Sequence, residues 1–377
     1  MEEEVKQPLK GVRVLDFTNL LPGPFCSYLL QLMGAEVIKV ERKDGDPARR
    51  MIPGLFDIVN YGKKSIVLDL KEKGTSEILE KAVSQVDVVL EGFRPGVKYN
   101  VGIDYETVKR INPNIVYCSI SGYGQSGHLA DLPGHDINFL ALAGVYSLSG
   151  DPFGEPVSNL GIAVGDLTAS WVAFSSILLA LRSRDIYGIG DYIDVSMVDC
   201  ALSMMINRIG EYTTVNDPLT LRRRLARPAY GIFKTLDQHY IAIAALEDHF
   251  WERLCRLFNW DDFLNDEEMG TMGKRSSMAR KINDRLQQEI ALREFSEWER
   301  SLSKFDIPFS KVNSIADLED DMYFKERGVL AFNDGKAYMN FPAKFSNILS
   351  HMDQHAPEIG EHTEEVFAKW GIPVRDV

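Results

Sequence analysis

The motifs that the sequence lacks are its first informative feature. Only 4 of 377 residues are cysteines, and none of them forms a CxxC pair. This gives no indication of a metal or redox site and predicts reduced core thiols in a cytoplasmic protein. LPGP follows the first strand candidate, where a dinucleotide fingerprint needs GxGxxG, and the phosphate-loop pattern GxxxxGK[ST] is absent. We therefore expect no metal and no permanently bound cofactor, and side chains must recognise any phosphate.

Several classes of partner are also unsupported by the composition. There are 42 Lys plus Arg against 55 Asp plus Glu, a formal net charge of -13, so a nucleic-acid partner is not expected. The start, MEEEVKQPLKG, is acidic and lacks the apolar core of a secretory signal. No apolar run reaches the roughly 20 residues that a membrane helix requires, so no membrane partner is expected. At 45% hydrophobic residues, the chain is long enough for two domains with sizeable cores.

The first half of the chain alternates strand signals with helix signals. Short apolar runs separated by helical spacing indicate buried strands of a mostly parallel sheet that is covered on both faces. We therefore predict an α/β, doubly wound large domain, in which ligands bind at the carboxyl ends of the strands. The strand candidates are Gly11 to Phe17, Ala35 to Glu41, Ser65 to Leu70, Val86 to Phe93 and Asn114 to Gly124.

The second half of the chain predicts a smaller α+β domain. Residues 211–230 are polar, basic and proline-containing, and a hairpin around Asp237 and helices through Lys304 follow them. We assign 1–200 plus 325–377 to the large domain, 201–224 to a linker and 225–324 to the small domain.

Basic residues recur at the ends of successive strand candidates. Lys39 and Arg42 end the second strand, Lys71 follows the third, and Arg94 follows the fourth in GFRPG. Side chains at these positions point toward the crevice of a doubly wound sheet, where a bidentate Arg grips a phosphate. Ordinary surface charge is the alternative for each of them, but the repetition favours an anionic ligand.

Four further residues have both a structural and a chemical interpretation. His135 and Asp136, in LPGHDINF, form either an Asx-type turn before a helix from Asn138 to Leu148 or part of a site. Asp166 precedes a helical run, so it can cap that helix, and a carboxylate kept ionised by the helix terminus can also act as a base or nucleophile. Glu247 in IAALEDHF is by default a solvated acid.

A family resemblance favours the chemical over the structural interpretation of these residues. GVRVLDF, LPGP, GAEVIKVER, EGFRPG, SGYGQSG, GHDINFLALAGV, GDYIDVSMVD and IGEHTEEVFAKWGI occur in this order along nearly the whole chain. In this order they resemble the family III CoA-transferases and the related α-methylacyl-CoA racemases, the CaiB/BaiF type.

The resemblance implies an acyl-CoA substrate, an interlocked homodimer and a set of site residues. The catalytic acid falls on Asp166, the histidine of GHDIN on His135, and an acid that orients this histidine on Glu247. Contacts to coenzyme A are implied for Arg42, Arg94, Lys71, Lys39 and Asp136.

Three reactions or roles are compatible with these residues. As a racemase, the protein epimerises the α-carbon of a 2-methylacyl-CoA by proton transfer between His135 and Asp166, with amide groups at the start of the Asp166 helix facing the enolate oxygen. As a CoA-transferase, Asp166 forms an acyl anhydride. As a non-catalytic binder, the protein holds acyl-CoA without turnover. Both GHDIN and Glu247 favour the racemase, whereas Leu167 to Ser170 replace its glycine-rich stretch.

Overall fold

The chain folds into two compact units. The computed structural model describes residues 6–72, 74–155, 157, 160–333, 335–348 and 355–373. The first unit comprises the described residues within 1–145, 159–205 and 319–377, and the second comprises those within 146–158 and 206–318.

A parallel sheet of six strands is the centre of the first unit. The strand order is β3-β2-β1-β4-β5-β6, with every neighbouring pair parallel. This confirms the predicted doubly wound α/β fold, whose order reverses between β1 and β4 at the point where such sheets bind ligands. The strands are β1 (Arg13–Asp16), β2 (Glu36–Glu41), β3 (Lys64–Val67), β4 (Val88–Glu91), β5 (Val116–Ser121) and β6 (Asp191–Ser196).

Among the described residues from β1 to the end of the first unit's second segment, nine α-helices accompany these strands. They are α1 (Pro22–Leu32), α2 (Ala48–Met51), α3 (Pro53–Asn60), α4 (Thr75–Ser84), α5 (Val97–Asn100), α6 (Tyr105–Ile111), α7 (Asp136–Leu142), α8 (Val164–Tyr187) and α9 (Met197–Ser203). The helix predicted from Asn138 to Leu148 is α7 followed by a 3-10 turn at Val145–Leu148.

The second unit combines helices with a small antiparallel sheet. Strands pair in the order β7-β8-β9, and the hairpin predicted around Asp237 joins β7 to β8. The segment predicted as a linker, 201–224, is largely helical. The elements are α10 (Ile206–Val215), α11 (Pro218–Arg223), β7 (Tyr230–Lys234), β8 (Tyr240–Ala244), α12 (Asp248–Phe258), α13 (Asp261–Leu264), α14 (Met272–Arg275), α15 (Ala279–Ile290), α16 (Phe295–Lys304) and β9 (Phe309–Lys311).

The last part of the chain belongs to the first unit. It contains α17 (Met322–Arg327), the antiparallel pair β10 (Leu330–Asn333) and β11 (Lys336–Met339), and α18 (Thr363–Lys369). Gly371 follows α18 with a φ of 65°.

Apolar residues cover both faces of the parallel sheet. Successive residues of a strand point to opposite faces, so Val14 belongs to one core cluster and Leu15 to the other. Residues of α1 and α8 pack in the first cluster. Residues of α4 and α18 pack in the second. Burial of both faces accounts for the nearly continuous apolar runs of these strands.

Helix α8 is long and apolar enough, by length and composition alone, to cross a membrane. The expectation that no segment reaches this length is therefore wrong. Ala169, Ala173, Ile177 and Leu181 of α8 are buried in the core of the first unit. A central helix of a globular domain has the same length and composition, because it also packs apolar residues over several turns.

Two buried charges fix the loop between β1 and α1. The Lys39 ammonium and the Asp46 carboxylate lie 2.8 Å apart, and both side chains are 0% exposed. Lys39 Nζ also donates to the Thr18 carbonyl at 2.8 Å. The Leu20 amide donates to Asp46 Oδ1 at 3.1 Å. These bonds hold Leu20 in the left-handed region, with a φ of 65°, which is unfavourable for a branched side chain.

A second buried pair lies at the start of the same loop. Asp16 accepts a hydrogen bond from the Thr18 amide at 2.8 Å, and its carboxylate lies 3.4 Å from Lys63 Nζ. Burial lowers the pKa of Lys63 to about 8, although the charge of Asp16 opposes that shift. The β1–α1 loop is thus anchored by two lysines and two aspartates.

Removal of the Asp46 charge tests the importance of the first pair. We expect Asp46→Asn to lower the free energy of unfolding by about 3–5 kcal/mol, because it leaves the Lys39 ammonium buried without a counter-charge. Urea unfolding followed by circular dichroism measures the change.

The matched control is Glu72→Gln, in an ion pair whose side chains, Lys43 and Glu72, are 65% and 48% exposed. Loss of such an exposed pair should lower the free energy of unfolding by less than about 1 kcal/mol. Equal effects of the two substitutions would contradict the assignment.

Candidate active site

A cavity of about 350 Å³ lies at the switch point of the sheet. It is lined by the loop after β1, by Gly92 to Pro95 after β4 and by Ile120 to Gly122 at the end of β5. His135, immediately before α7, and Asp166, in the first turn of α8, line the same cavity. The structure therefore brings together these two predicted catalytic residues in what we call the switch-point cavity.

Asp136, and not Asp166, caps the start of α8. Its Oδ1 accepts hydrogen bonds from the Gly165 amide at 2.7 Å and from the Asp166 amide at 3.1 Å. A Cβ atom at Gly165 would lie 3.0 Å from the same oxygen, so glycine leaves room for the cap. The predicted capping role of Asp166 is therefore wrong, and these two amides do not face an enolate oxygen.

The pKa of Asp166 is higher than expected for a carboxyl group at a helix N-terminus. Burial, and then the negative charge of Asp136, raise its pKa from 3.8 to about 6. The Asp136 carboxylate lies at the positive N-terminus of α8 and interacts with it, so the helix terminus does not lower the pKa of Asp166. A carboxyl group of this kind both accepts and donates protons near neutral pH.

His135 is held at the entrance of α7 by its backbone. Its amide donates to Asn138 Oδ1 at 3.0 Å, which closes the first turn of a helix that begins at Asp136. The His135 side chain is exposed. The turn and the site interpretations of His135 are therefore compatible.

Two glycines leave space for an aromatic ring in the wall of the switch-point cavity. A Cβ atom at Gly122 or at Gly134 would overlap the ring of Phe139. All three residues line the cavity. Phe139 thus occupies space that only glycine at both positions leaves open.

A second cavity, of about 390 Å³, adjoins the first, since Phe17, Asn19 and Phe93 line both. Arg42 and Lys71 line the second cavity and are exposed. Within the described part of the chain, neither side chain forms a hydrogen bond or an ion pair.

Three acids also line this second cavity, and one of them, Glu41, lies 2.7 Å from Arg49. Asp44 lies 3.5 Å from Arg50, and Asp69 accepts from the Lys71 amide at 3.0 Å. Since each acid has a partner, Arg42 and Lys71 remain available to an anion.

Arg94 lines the switch-point cavity and lies on a loop that is held in place by the buried Glu91. The Phe93 amide donates to Glu91 Oε2 at 2.7 Å, and Lys98 Nζ lies 3.3 Å from Glu91 Oε1. Burial raises the pKa of Glu91, while Lys98 and Ser119 act in the opposite direction. The Arg94 side chain itself is exposed and has no bond to another described side chain.

The structure places two predicted site residues elsewhere. Lys39 lines neither cavity and is buried against Asp46, so its position does not allow the predicted contact with coenzyme A. Glu247 lies in the second unit, exposed and directly before α12. Its role toward His135, the contact of Asp136 with coenzyme A and the interlocked homodimer stay predictions.

No group of three or more His, Cys, Asp or Glu side chains is arranged to hold a metal ion within the ranges that the structure describes.

Comparison with known proteins identifies the family. The model of CoA-transferase family III matches residues 9–363. The chain belongs to this family.

Individual relatives include both kinds of enzyme that the sequence suggests. The chain is 31% identical to the succinyl-CoA:mesaconate CoA-transferase of Haloarcula hispanica, over 97% of this chain and 96% of the relative. It is 29% identical to the human alpha-methylacyl-CoA racemase, over 98% and 95% of the two chains. A CaiB/BaiF family protein from Brucella suis has the same fold, with a TM-score of 0.87, 28% identity and coverage of 97% and 100%.

Sequence reasoning missed two features of this family member's site. Asp136 was expected to contact a ligand, but its hydrogen bonds to α8 depend on a contact across 30 residues that no local pattern shows. Ser121, the last residue of β5, also lines the switch-point cavity. Its signals in the sequence are its place at the start of the motif SGYGQSG and its position near the carboxyl end of the strand predicted from Asn114 to Gly124.

The raised pKa of Asp166 predicts a pH-dependent cost in stability. A carboxyl group whose pKa rises from 3.8 to about 6 on folding binds its proton more tightly in the folded state. Its contribution is therefore favourable at low pH and is lost as the pH rises through about 6. We expect Asp166→Asn to be more stable than the wild type at pH 8 by ~1–2 kcal/mol, a value reduced for partial solvent screening.

Urea unfolding at pH 8, 6 and 4 measures this difference, which should shrink toward zero at pH 4. Glu299→Gln, at an exposed position of α16, is the control and should show no such trend. If the stability difference between Asp166→Asn and the wild type does not depend on pH, the prediction is wrong.

Proposed function

We propose that the protein epimerises the α-carbon of a 2-methylacyl-CoA by proton transfer between His135 and Asp166. The observation that carries this proposal is that both side chains line one cavity. Racemisation needs two groups that exchange protons near neutral pH, one for each face of the substrate. An imidazole and a carboxyl group with a pKa of about 6 meet that requirement.

The reaction needs only proton transfers. One of the two groups takes the α-proton, and the electron pair of the broken C–H bond moves toward the thioester carbonyl, whose oxygen becomes negative. The other group then delivers a proton to the opposite face of the carbon. Each group ends in the protonation state in which its partner began, so the reverse reaction uses the same two residues.

The two adjoining cavities support an extended substrate such as a coenzyme A thioester. Arg42 and Lys71 in the second cavity supply cations for the phosphates, and Arg94 lies on the wall of the first. The chain is strongly acidic overall, so an anionic ligand depends on such local cations. The acyl group then lies beside His135 and Asp166.

Exchange in deuterated water tests the proposal. With one epimer of a 2-methylacyl-CoA, we expect uptake of α-deuterium together with loss of optical purity, measured by mass spectrometry and chiral chromatography. His135→Ala should lower the rate about 10²–10⁴-fold, because it removes one of the two proton-transferring groups.

The matched control is His128→Ala, which removes an exposed imidazole that does not line the cavity. Undiminished turnover of both epimers by His135→Ala would rule out the assignment.

A CoA-transferase is the second candidate, favoured by the relative from Haloarcula hispanica. The Asp166 carboxylate would attack the acyl-CoA carbonyl, the C–S bond would break, and CoA would leave as a thiolate. The carboxylate of an acceptor acid would then attack the Asp166 carbonyl of the anhydride and release the donor carboxylate. The CoA thiolate would attack the acceptor's carbonyl in the new anhydride, which forms the new thioester and releases the Asp166 carboxylate.

A parallel incubation with a free carboxylic acid separates the candidates. Movement of CoA to the added acid without α-exchange, with Asp166 trapped by borohydride or hydroxylamine, would identify a transferase. Binding of acyl-CoA with neither reaction would identify a non-catalytic binder.

The cationic residues predict the affinity for coenzyme A. We expect Arg42→Ala and Arg94→Ala each to raise the dissociation constant of coenzyme A about tenfold or more, since each removes a charged hydrogen bond to a phosphate. Isothermal titration with coenzyme A measures the change. Arg110→Ala, at an exposed position of α6, is the control. If all three variants bind alike, the phosphates lie elsewhere.

A further inference from the structure

We propose that the Ser121 hydroxyl donates a hydrogen bond to the carbonyl oxygen of the substrate's thioester and stabilises the negative charge that develops on this oxygen. The inference rests on the proposed function, and it names a catalytic residue that the family motifs quoted above do not assign.

The Ser121 side chain is buried but unsatisfied. The residue is 7% exposed, and its Oγ forms no hydrogen bond to any described residue. A buried hydroxyl without a partner costs about 1–3 kcal/mol, and most native structures avoid it. Because Ser121 lines the same cavity as His135 and Asp166, a bound ligand is the available partner.

Other buried donors around the switch-point cavity already have acceptors. The Gly165 and Asp166 amides donate to Asp136. The Thr18 amide and the Thr18 hydroxyl both donate to Asp16 Oδ1, at 2.8 and 2.5 Å. Among the described residues that line the cavity, the Ser121 hydroxyl thus differs from these groups, because it has no acceptor for its proton.

The backbone holds Ser121 in a fixed position. It is the last residue of β5 and pairs in register with Ser196 of β6. The hydroxyl of Ser196, unlike that of Ser121, has a partner, because it accepts a hydrogen bond from the Asp199 amide at 3.2 Å. A donor on a central strand needs little reorganisation when charge develops, which is the condition for effective stabilisation of an oxyanion.

The hydroxyl keeps its proton throughout the reaction. When the α-C–H bond breaks, the proton goes to His135 or Asp166, and the electron pair forms the enolate with charge on oxygen. Ser121 donates a hydrogen bond to that oxygen. The charge is lost again when the carbon receives a proton from the opposite group.

Substitution of Ser121 tests its role in turnover. We expect Ser121→Ala to lower kcat for α-deuterium exchange about 10²–10³-fold with little change in KM. Ser121→Thr, which keeps the hydroxyl, should retain most of the activity. Ser175→Ala, which removes an exposed hydroxyl of α8, is the control. Ser121→Ala should also be at least as stable to urea as the wild type, because it removes an unsatisfied group.

A binding measurement separates this inference from the proposed reaction. Infrared difference spectroscopy of bound [1-¹³C]isobutyryl-CoA should show a lowered carbonyl frequency with the wild type and with Ser121→Thr, but not with Ser121→Ala. The same frequency in the wild type and in Ser121→Ala would overturn the assignment, even if kcat falls. A wild type that catalyses no α-exchange, yet shows the Ser121-dependent shift, would overturn the racemase proposal and leave the hydrogen bond in place.

Discussion

The buried ion pair between Lys39 and Asp46 is the constraint on which the site depends. It lies under the β1–α1 loop and binds that loop at the Thr18 carbonyl and the Leu20 amide. Residues of this loop line both cavities. Two charges without solvent stay in place only with good geometry and additional hydrogen bonds. The loop is therefore held rigidly, although it contains neither regular secondary structure nor a glycine-rich motif.

A single carboxylate, Asp136, links the two catalytic candidates. It belongs to the first turn of α7, directly after His135, and it caps α8 directly before Asp166. The hydrogen bonds fix the two helix starts relative to each other. The charge raises the pKa of Asp166. One side chain thus contributes both to the geometry of the two helix starts and, in addition to burial, to the raised pKa of Asp166.

The sequence predicts the fold well because buried parallel strands leave a clear apolar signal. The same alternation predicts the strand ends, and so the positions of Arg42, Lys71 and Arg94. It fails for Lys39, since a lysine in a strand looks the same whether its ammonium meets water or a buried aspartate. It misses the raised pKa of Asp166, because the main cause is burial in the folded chain and the second cause is the charge of Asp136 from another helix. The free hydroxyl of Ser121 is invisible in the sequence, since a missing partner is a property of the folded chain.

The packing of Phe139 against Gly122 and Gly134 restricts how this site can evolve. Any larger residue at either glycine collides with the ring, so such a change is tolerated only after Phe139 has become smaller. A smaller residue at position 139 first leaves a hole in the core, which destabilises the first unit. The route to a differently shaped switch-point cavity therefore passes through a less stable intermediate, and the order of the substitutions determines whether that intermediate is stable enough to persist.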